Sequence, residues 1–364
     1  MKNKKVVKCI VLALSFLLFA SCATTLNVKL TRPAQLDLNG ARTISVLPFK
    51  PCAYYREYDT SLGAQLIINS FYQIFDISDP NEDALLNILK SDIERGLADS
   101  PYISLIHSNE VLDAQKKGRI NPADVYLTGE MAYFSVRDNS IKEKELIKEA
   151  EGNRKAEYAI ITYWERTVEF RFRYQVVDSS NNKVISYREI HGDASSDSYR
   201  NKRELPSAYR IAETNMRSAA RTILKELQPY TVTKQITLLE TKTKDKLLKQ
   251  KMKDASKLAS DGFVQQAIQE FDSIHDETGL LEAGYNSAIL EEALGEFSEA
   301  EKKMQELYDR YPDNRVAKAL SDIRYEIQLA NRLEKQLKES SASEDSEDLD
   351  AFEEIDDEDL EVDF

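Results

Sequence analysis

Residues 255–312 repeat themselves. Gly262, Ala267, Phe271 and Ile274 are matched in order by Gly295, Ala300, Met304 and Leu307. Ala255 and Ala288 keep the same lag, as do Gly279 and Pro312. The lag is ~33 residues, a period that accommodates two helices per repeat, and such a unit buries its apolar faces only by stacking on neighbours. Glycine lets the chain turn between paired helices. The small alanine five positions later permits close helix contact, and the larger residues four and seven beyond it pack the next repeat. A helical domain over 244–336 is therefore expected, closed by a helix from Arg315 to Lys338 with Lys, Arg and Glu on one face.

Tyr285 to Asn314 resembles a tetratricopeptide (TPR) unit, with Phe297 two positions after the turn glycine and Tyr311-Pro312 at its end. Residues 248–279 form a poorer second unit. Ankyrin repeats share the period, but their Thr-Pro-Leu-His is absent. The resemblance implies an all-α domain whose concave face, lined by the first helix of each pair, receives a partner protein. Carried over residue by residue, that face shows Met252, Lys253, Ser256, Tyr285, Asn286, Ile289 and Ile323. Met252, Ile289 and Ile323 read equally well as core. Two repeats and a cap are fewer than the ~3 that usually bury a continuous core. The unit is expected to lean on helix 206–228, on a second copy in a homo-oligomer, or on a partner.

The N-terminus carries Lys2, Lys4, Lys5 and Lys8, then an apolar run from Cys9 to Ala20. A basic start, a short apolar stretch and a small-residue exit describe a secretory signal peptide over 1–21. A helix crossing a bilayer core needs ~20 residues, more than this run supplies. The exit, Leu18-Phe19-Ala20-Ser21-Cys22, resembles a bacterial lipoprotein lipobox, departing from it at Phe19. That resemblance implies acylation of Cys22 (palmitate among the chains) and stable anchoring, since each buried methylene contributes ~0.8 kcal/mol. Ala23 after the cysteine leans toward an outer membrane facing the periplasm, with surface exposure left open. Cys52 then has no intramolecular disulfide partner and reads as a small buried hydrophobe.

Residues 22–40 read as a lipidated polar tether without helical period. A first folded domain is expected over 41–236. Thr43 to Phe49 reads as a strand stopped by Pro48. Residues 50–80 are aromatic-rich and ambiguous. Pro80-Asn81-Glu82-Asp83 opens a helix with an apolar face of Leu85, Leu86, Ile88, Leu89, Ile93 and Leu97. Tyr102 to His107 is a strand, Asn109 to Lys117 a short helix, and Val125 to Val136 a strand in which Gly129 marks close backbone approach. Residues 139–156, dominated by Lys and Glu, read as a solvated loop or helix. Val168 to Val176 alternates strictly and pairs through a turn at 178–182 with Lys183 to Ile190. Pro206 opens a long helix ended by Pro229, and Thr231 to Leu239 adds a last strand. The sum is an α+β domain, an antiparallel-rich sheet with helices. Ile44-Ser-Val-Leu-Pro-Phe49, Asp124-Val-Tyr-Leu-Thr-Gly129 and Tyr174-Gln-Val-Val-Asp178 resemble the periplasmic domain of curli-secretion-channel-type lipoproteins and the N-terminal domain of TolB-like proteins. The match runs from Ile44 through the hairpin that follows Asp178, with Asn181-Asn182 where the family turn has Thr-Gly. It implies an envelope-associated interaction domain. The charge of 139–156 argues against the apolar membrane hairpins of the channel members.

The net charge of −14 is uneven: 1–21 carry +4, while 341–364 carry thirteen acids and no base. The rest is close to balanced, so nothing reads as a nucleic-acid binder. Residues 337–364 are expected to be a disordered acidic tail. His107, His191 and His275 lack metal-ligand spacing, and no HExxH, GxSxG, P-loop, GxGxxG or CxxC occurs. The sequence thus points to a non-catalytic envelope lipoprotein with no cofactor, scaffolding unidentified envelope proteins through its TPR unit. The alternative is a ligand-binding accessory subunit of a transport or secretion system, with residues 54–75 lining a pocket.

Overall fold

A computed structural model of the chain describes residues 24–52, 56–58, 79–149 and 156–342. The signal segment, Cys22, most of the aromatic stretch 53–78 and the tail from 343 lie outside the described residues. The described chain divides into two compact units: residues 24–33 with Tyr230–Glu334, and Ala34–Pro229 with 335–342. The first is helical and the second mixed. The fold is α+β, as the periodicities indicate.

The chain opens with β1 (Thr25–Arg32), which belongs to the helical unit. The mixed unit follows as β2 (Thr43–Val46), β3 (Arg56–Tyr58), α1 (Pro80–Ala98), β4 (Ser104–Ile106), α2 (Ser108–Lys117), β5 (Val125–Lys148), β6 (Glu157–Asp178), β7 (Val184–Ser195) and α3 (Ala208–Leu227). Its sheet has the order β4-β2-β5-β6-β7, and β3 runs beside β5 further along. β2 is parallel to β4 and β5, while β5, β6 and β7 form an antiparallel meander. α1 and α3 pack against each other and against the sheet. Val168, Phe170, Phe172, Tyr174 and Val176, one face of the alternating strand, meet Leu85, Leu89, Ile93, Met216 and Ile223 in a single core. α1 starts where its signals place it: Asp79 caps the helix by accepting from Asn81 N at 2.8 Å, with Pro80 in the first turn. Cys52 lies in this core as expected, and its backbone N–H is held by the buried carboxylate of Glu82. A Cβ on Gly129 would stand 2.6 Å from the Phe172 ring and 2.7 Å from Arg173 O, so only glycine lets β5 and β6 pair here.

The helical unit comprises β1, β8 (Tyr230–Thr237), α4 (Lys246–Ser260), α5 (Val264–Thr278), α6 (Leu281–Leu294), α7 (Phe297–Arg310) and most of α8 (Asn314–Ala342). The apolar members of the repeat are all buried: Ala255 and Ala288, Ala267 and Ala300, Phe271 and Met304, Ile274 and Leu307. Gly262, Gly279 and Gly295 end their helices at φ of +91°, +67° and +84°, a region costly for any residue with a side chain.

Five expectations need correction. The tether is not irregular, because Thr25 to Arg32 pairs residue for residue with Thr237 to Tyr230. Its alternation, Leu26, Val28 and Leu30, is short and flanked by polar residues, which hid the strand. In consequence the last strand belongs to the helical unit, the mixed unit ends at Pro229 rather than 236, and the helical unit is not all-α. Residues 139–148 are neither loop nor helix but the outer half of β5. Residues 337–342, assigned to the tail, continue α8, and Gln336 in that helix donates to Ala34 O and Leu36 O, both at 3.2 Å.

Candidate interaction surfaces

The seven residues expected on a concave face fall into three groups. Asn286 and Ile323 are fully buried and Met252 and Ile289 nearly so, Ser256 and Tyr285 are partly covered, and Lys253 is exposed. What buries them is the chain's own β1–β8 ribbon and the strand's continuation. Ile236 and Leu238 share one core with Met252, Ile289 and Ile323, and Leu26, Val28 and Tyr285 pack on its rim. Asn286 brackets the backbone of Leu239, its Oδ1 accepting from Leu239 N at 2.6 Å and its Nδ2 donating to Leu239 O at 2.9 Å. The ribbon thus supplies what two repeats lack, an apolar surface to close the stack. The open groove implied by the TPR resemblance is occupied from within the chain.

Charge holds the ribbon as well. Lys234 on β8 donates to Glu292 of α6 at 2.5 Å and to Glu326 of α8 at 3.1 Å. Arg32 on β1 forks onto Glu326, with Nη2 to Oε1 at 2.7 Å. Burial raises the Glu292 carboxyl above its ordinary pKa despite Lys234. Burial acts the same way on Glu326, but the bonds from Arg32 and Lys234 outweigh it and the net shift is downward. Burial also opposes the charge on Lys234, yet its two carboxylate partners leave its pKa raised. Two cations and two carboxylates, with both acids almost sealed from water, fasten two strands to two helices.

The second surface is an arm. β7 ends where Ser195 pairs with Thr167, but β5 and β6 run on together from Asp138↔Arg166 to Lys148↔Glu157. Its root is fixed by Arg166, whose Nε and Nη2 bond the Asp138 carboxylate at 2.6 and 2.9 Å, and the hydrogen bond from Arg166 holds that carboxyl below its ordinary pKa. Further out, Tyr163 and Arg200 both donate to Glu145, and the Lys144 ammonium stands 4.4 Å from the Tyr158 ring centroid. Trp164 exchanges backbone bonds with Tyr199 at 2.7 and 2.8 Å. Beyond that bridge, among the described residues, no strand pairs with the outer edge of 137–148 or of 157–163. Leu146, Ile147, Tyr158 and Ile160 are exposed here, Ile160 by 73%. Sequence reasoning missed the arm because Lys and Glu occupy both faces of β5, leaving no apolar alternation. The usable signal lay in Tyr158 to Trp164, apolar on both faces.

The remaining candidates stay apart. His107 precedes α2, His191 pairs with Glu189 at 3.0 Å on β7, and His275 Nδ1 lies 2.9 Å from Leu280 O. Among the described residues no group of three or more His, Cys, Asp or Glu side chains is placed to hold a metal ion. No helix among them is long and apolar enough to cross a membrane. Cys22 and the greater part of 54–75 lie outside the described residues.

No family model matches the chain, and no curated protein matches it. Among solved structures it is similar to PelC from Paraburkholderia phytofirmans, described as a dodecamer, at 12% identity over 56% of this chain and 98% of that one, with a TM-score of 0.24. It is similar to the hypothetical protein CT253 from Chlamydia trachomatis at 12% identity over 51% and 97%, TM-score 0.24. It is also similar to lipoprotein GNA1162 from Neisseria meningitidis at 7% identity over 51% and 97%, TM-score 0.20. Likeness at this level says nothing of function.

Proposed function

We propose that this chain is a non-catalytic envelope lipoprotein, anchored through acyl chains on Cys22, that holds partner proteins at a membrane face. On this reading the mixed unit is a TolB-like or curli-channel-like interaction domain, and the helix pairs are TPR-like units that serve as a rigid mount. The membrane is an outer membrane, with the protein facing the periplasm. The partner surface shifts from the concave face, which the ribbon fills, to the β5–β6 arm. The arm is the observation that carries the reading. A two-stranded ribbon is marginally stable in water by itself, and an edge with exposed apolar side chains is a template for another strand. An extended segment of a partner protein added to that edge would gain backbone hydrogen bonds and cover Ile160 and Tyr158. The test is crosslinking of the native lipoprotein, recovery, and mass spectrometry of its partners, for the wild type and for Tyr158→Asp with Ile160→Asp. The double variant should lose the partners while keeping its melting temperature. An unchanged partner set refutes the arm as the docking surface. Metabolic palmitate labelling of wild type and Cys22→Ala tests the anchor separately: equal labelling of both refutes it.

A further inference from the structure

The anchor does not hang on a long tether. Only Ala23 and Thr24 separate Cys22 from β1, so at most about 11 Å of extended chain lies between Cys22 and Thr25. Thr24 is already tied into the helical unit, because Leu238 N donates to Thr24 O at 2.9 Å. From Leu238 seven residues lead to α4, which packs against β1. Whatever surface surrounds this end of the helical unit is therefore held against the membrane by an acylated Cys22.

That surface is basic in an acidic protein. Residues 242–253 hold six lysines, Lys242, Lys244, Lys246, Lys249, Lys251 and Lys253, against one acid, Asp245. All six lysines are exposed. Among the described residues only Lys251 is in an ion pair, with Glu277 at 3.1 Å. Asp245 is spent on the helix cap, its Oδ1 accepting from Leu247 N and Leu248 N. α4 is amphipathic: Leu248, Met252 and Ala255 face the core, while Leu247 projects outward among the lysines, 70% exposed. Leu247 thus stands exposed within a run of lysines, beside Lys246 and two positions before Lys249. It suits the boundary of a bilayer, where the apolar side chain enters the acyl region and the lysines meet headgroup phosphates.

We propose that the start of α4, with the segment leading into it, is a membrane-contact patch that lies on an anionic lipid surface beside the anchored N-terminus. The proposal rests on acylation of Cys22 for its geometry. Its chemistry is separable, because the patch should bind anionic lipid without the anchor. Lipid anchors hold firmly only with two signals, and a basic patch is one of the recognised second signals. The contact would also orient the helical unit, since it adds a second fixed point to the one at Cys22.

The experiment uses the chain from Ala23 to Phe364 without acyl groups, sedimented with vesicles of phosphatidylcholine alone or of a two-to-one mixture of phosphatidylcholine and phosphatidylglycerol. Binding should require the anionic lipid and fall steeply between about 0.05 and 0.5 M salt. Each lysine near an anionic surface is worth roughly fivefold in partitioning. Replacing Lys242, Lys244, Lys246 and Lys249 by Gln should therefore reduce binding at least about a hundredfold, with the circular dichroism unchanged. Leu247→Gln should weaken it further, and Lys116→Gln with Lys117→Gln on α2 should not. Equal binding to neutral and anionic vesicles, or undiminished binding by the quadruple variant, overturns the proposal. The acidic tail is the competing occupant: if the chain binds anionic vesicles only after removal of 343–364, the tail rather than lipid covers the patch and the proposal fails. Loss of palmitate labelling at Cys22 alongside intact vesicle binding would sink the anchor and leave the patch standing.

Discussion

Lys234→Met isolates what holds the ribbon in the helical stack. Methionine keeps most of the apolar stem and removes the ammonium that bonds Glu292 and Glu326. Glu326 keeps Arg32, but Glu292, whose side chain is 3% exposed, is left without its cation. Removing one partner of a buried pair costs about 3–5 kcal/mol. The Lys234 side chain is 24% exposed and one of its two acids stays paired, so about 3 kcal/mol is expected. The pH dependence follows from the direction of the Glu292 shift. Its folded pKa is already above the unfolded value through burial, and without Lys234 it must rise further. A group of this kind favours the folded state below its unfolded pKa, and the benefit is lost as pH rises through its folded pKa. The deficit of the variant should thus be largest near pH 8 and shrink as pH falls toward 5. Urea unfolding followed by far-ultraviolet circular dichroism reports the helices, while fluorescence of Trp164, the single tryptophan, reports the mixed unit. Only the first should shift. Lys234→Met combined with Glu292→Leu should recover most of the loss, since an apolar pair of similar volume commonly replaces a buried ion pair without cost. A Lys234→Met protein within about 0.5 kcal/mol of wild type at pH 8 would refute the reasoning.

Ala300 is fully buried where paired helices touch, so Ala300→Arg should destabilise the helical unit by ~3 kcal/mol or more; limited proteolysis with circular dichroism should show helix lost from 246–334 while Trp164 fluorescence persists, and an unaltered melting profile would count against the packing. Gly129→Val brings a side chain onto Phe172 and Arg173 O and should cost about 1–3 kcal/mol in the mixed unit, read as a lower urea midpoint for Trp164.

Where residues carried a period, the sequence was legible. The alternation from Val168 to Val176 identified β6 and its buried face, and the constant lag between repeats identified eight buried positions in the helix pairs. What escaped depends on partners far away in the chain. β1 is unremarkable until β8 is placed beside it, and residues 34–229 of the mixed unit intervene between the two. The same pairing decided the concave face. The TPR resemblance puts Asn286 on the groove, whereas its side-chain amide serves the backbone of Leu239. The arm was obscured for a different reason. Its strands are linked by the cross-strand pairs Lys148–Glu157 and Lys144–Tyr158 rather than by burial, so the hydrophobic pattern that normally reveals a strand is absent from Ile141 to Lys148.

The ribbon also sets an order of folding. β1 and β8 flank residues 34–229 of the mixed unit, so pairing Arg32 with Tyr230 closes a very long loop. For a flexible chain of about 200 residues the closure entropy is about 5 kcal/mol. Folding of the mixed unit removes most of it, because Gln35 N donates to Lys225 O and Leu36 N to Glu226 O, both at 3.0 Å. Once those bonds form, the two ends of the insert leave side by side and the ribbon closes like a short hairpin. The dependence should be one-sided. Leu89→Ala, at a fully buried position in the mixed core, should cost about 2–5 kcal/mol there. In urea that unfolds the mixed unit, the helical transition should then move down with the Trp164 transition. Ala300→Arg should move the helical transition alone. If the helices of the Leu89→Ala protein kept the wild-type midpoint after Trp164 had unfolded, ribbon closure would not depend on the insert, and the ribbon would owe its stability to its contacts with α6 and α8 alone.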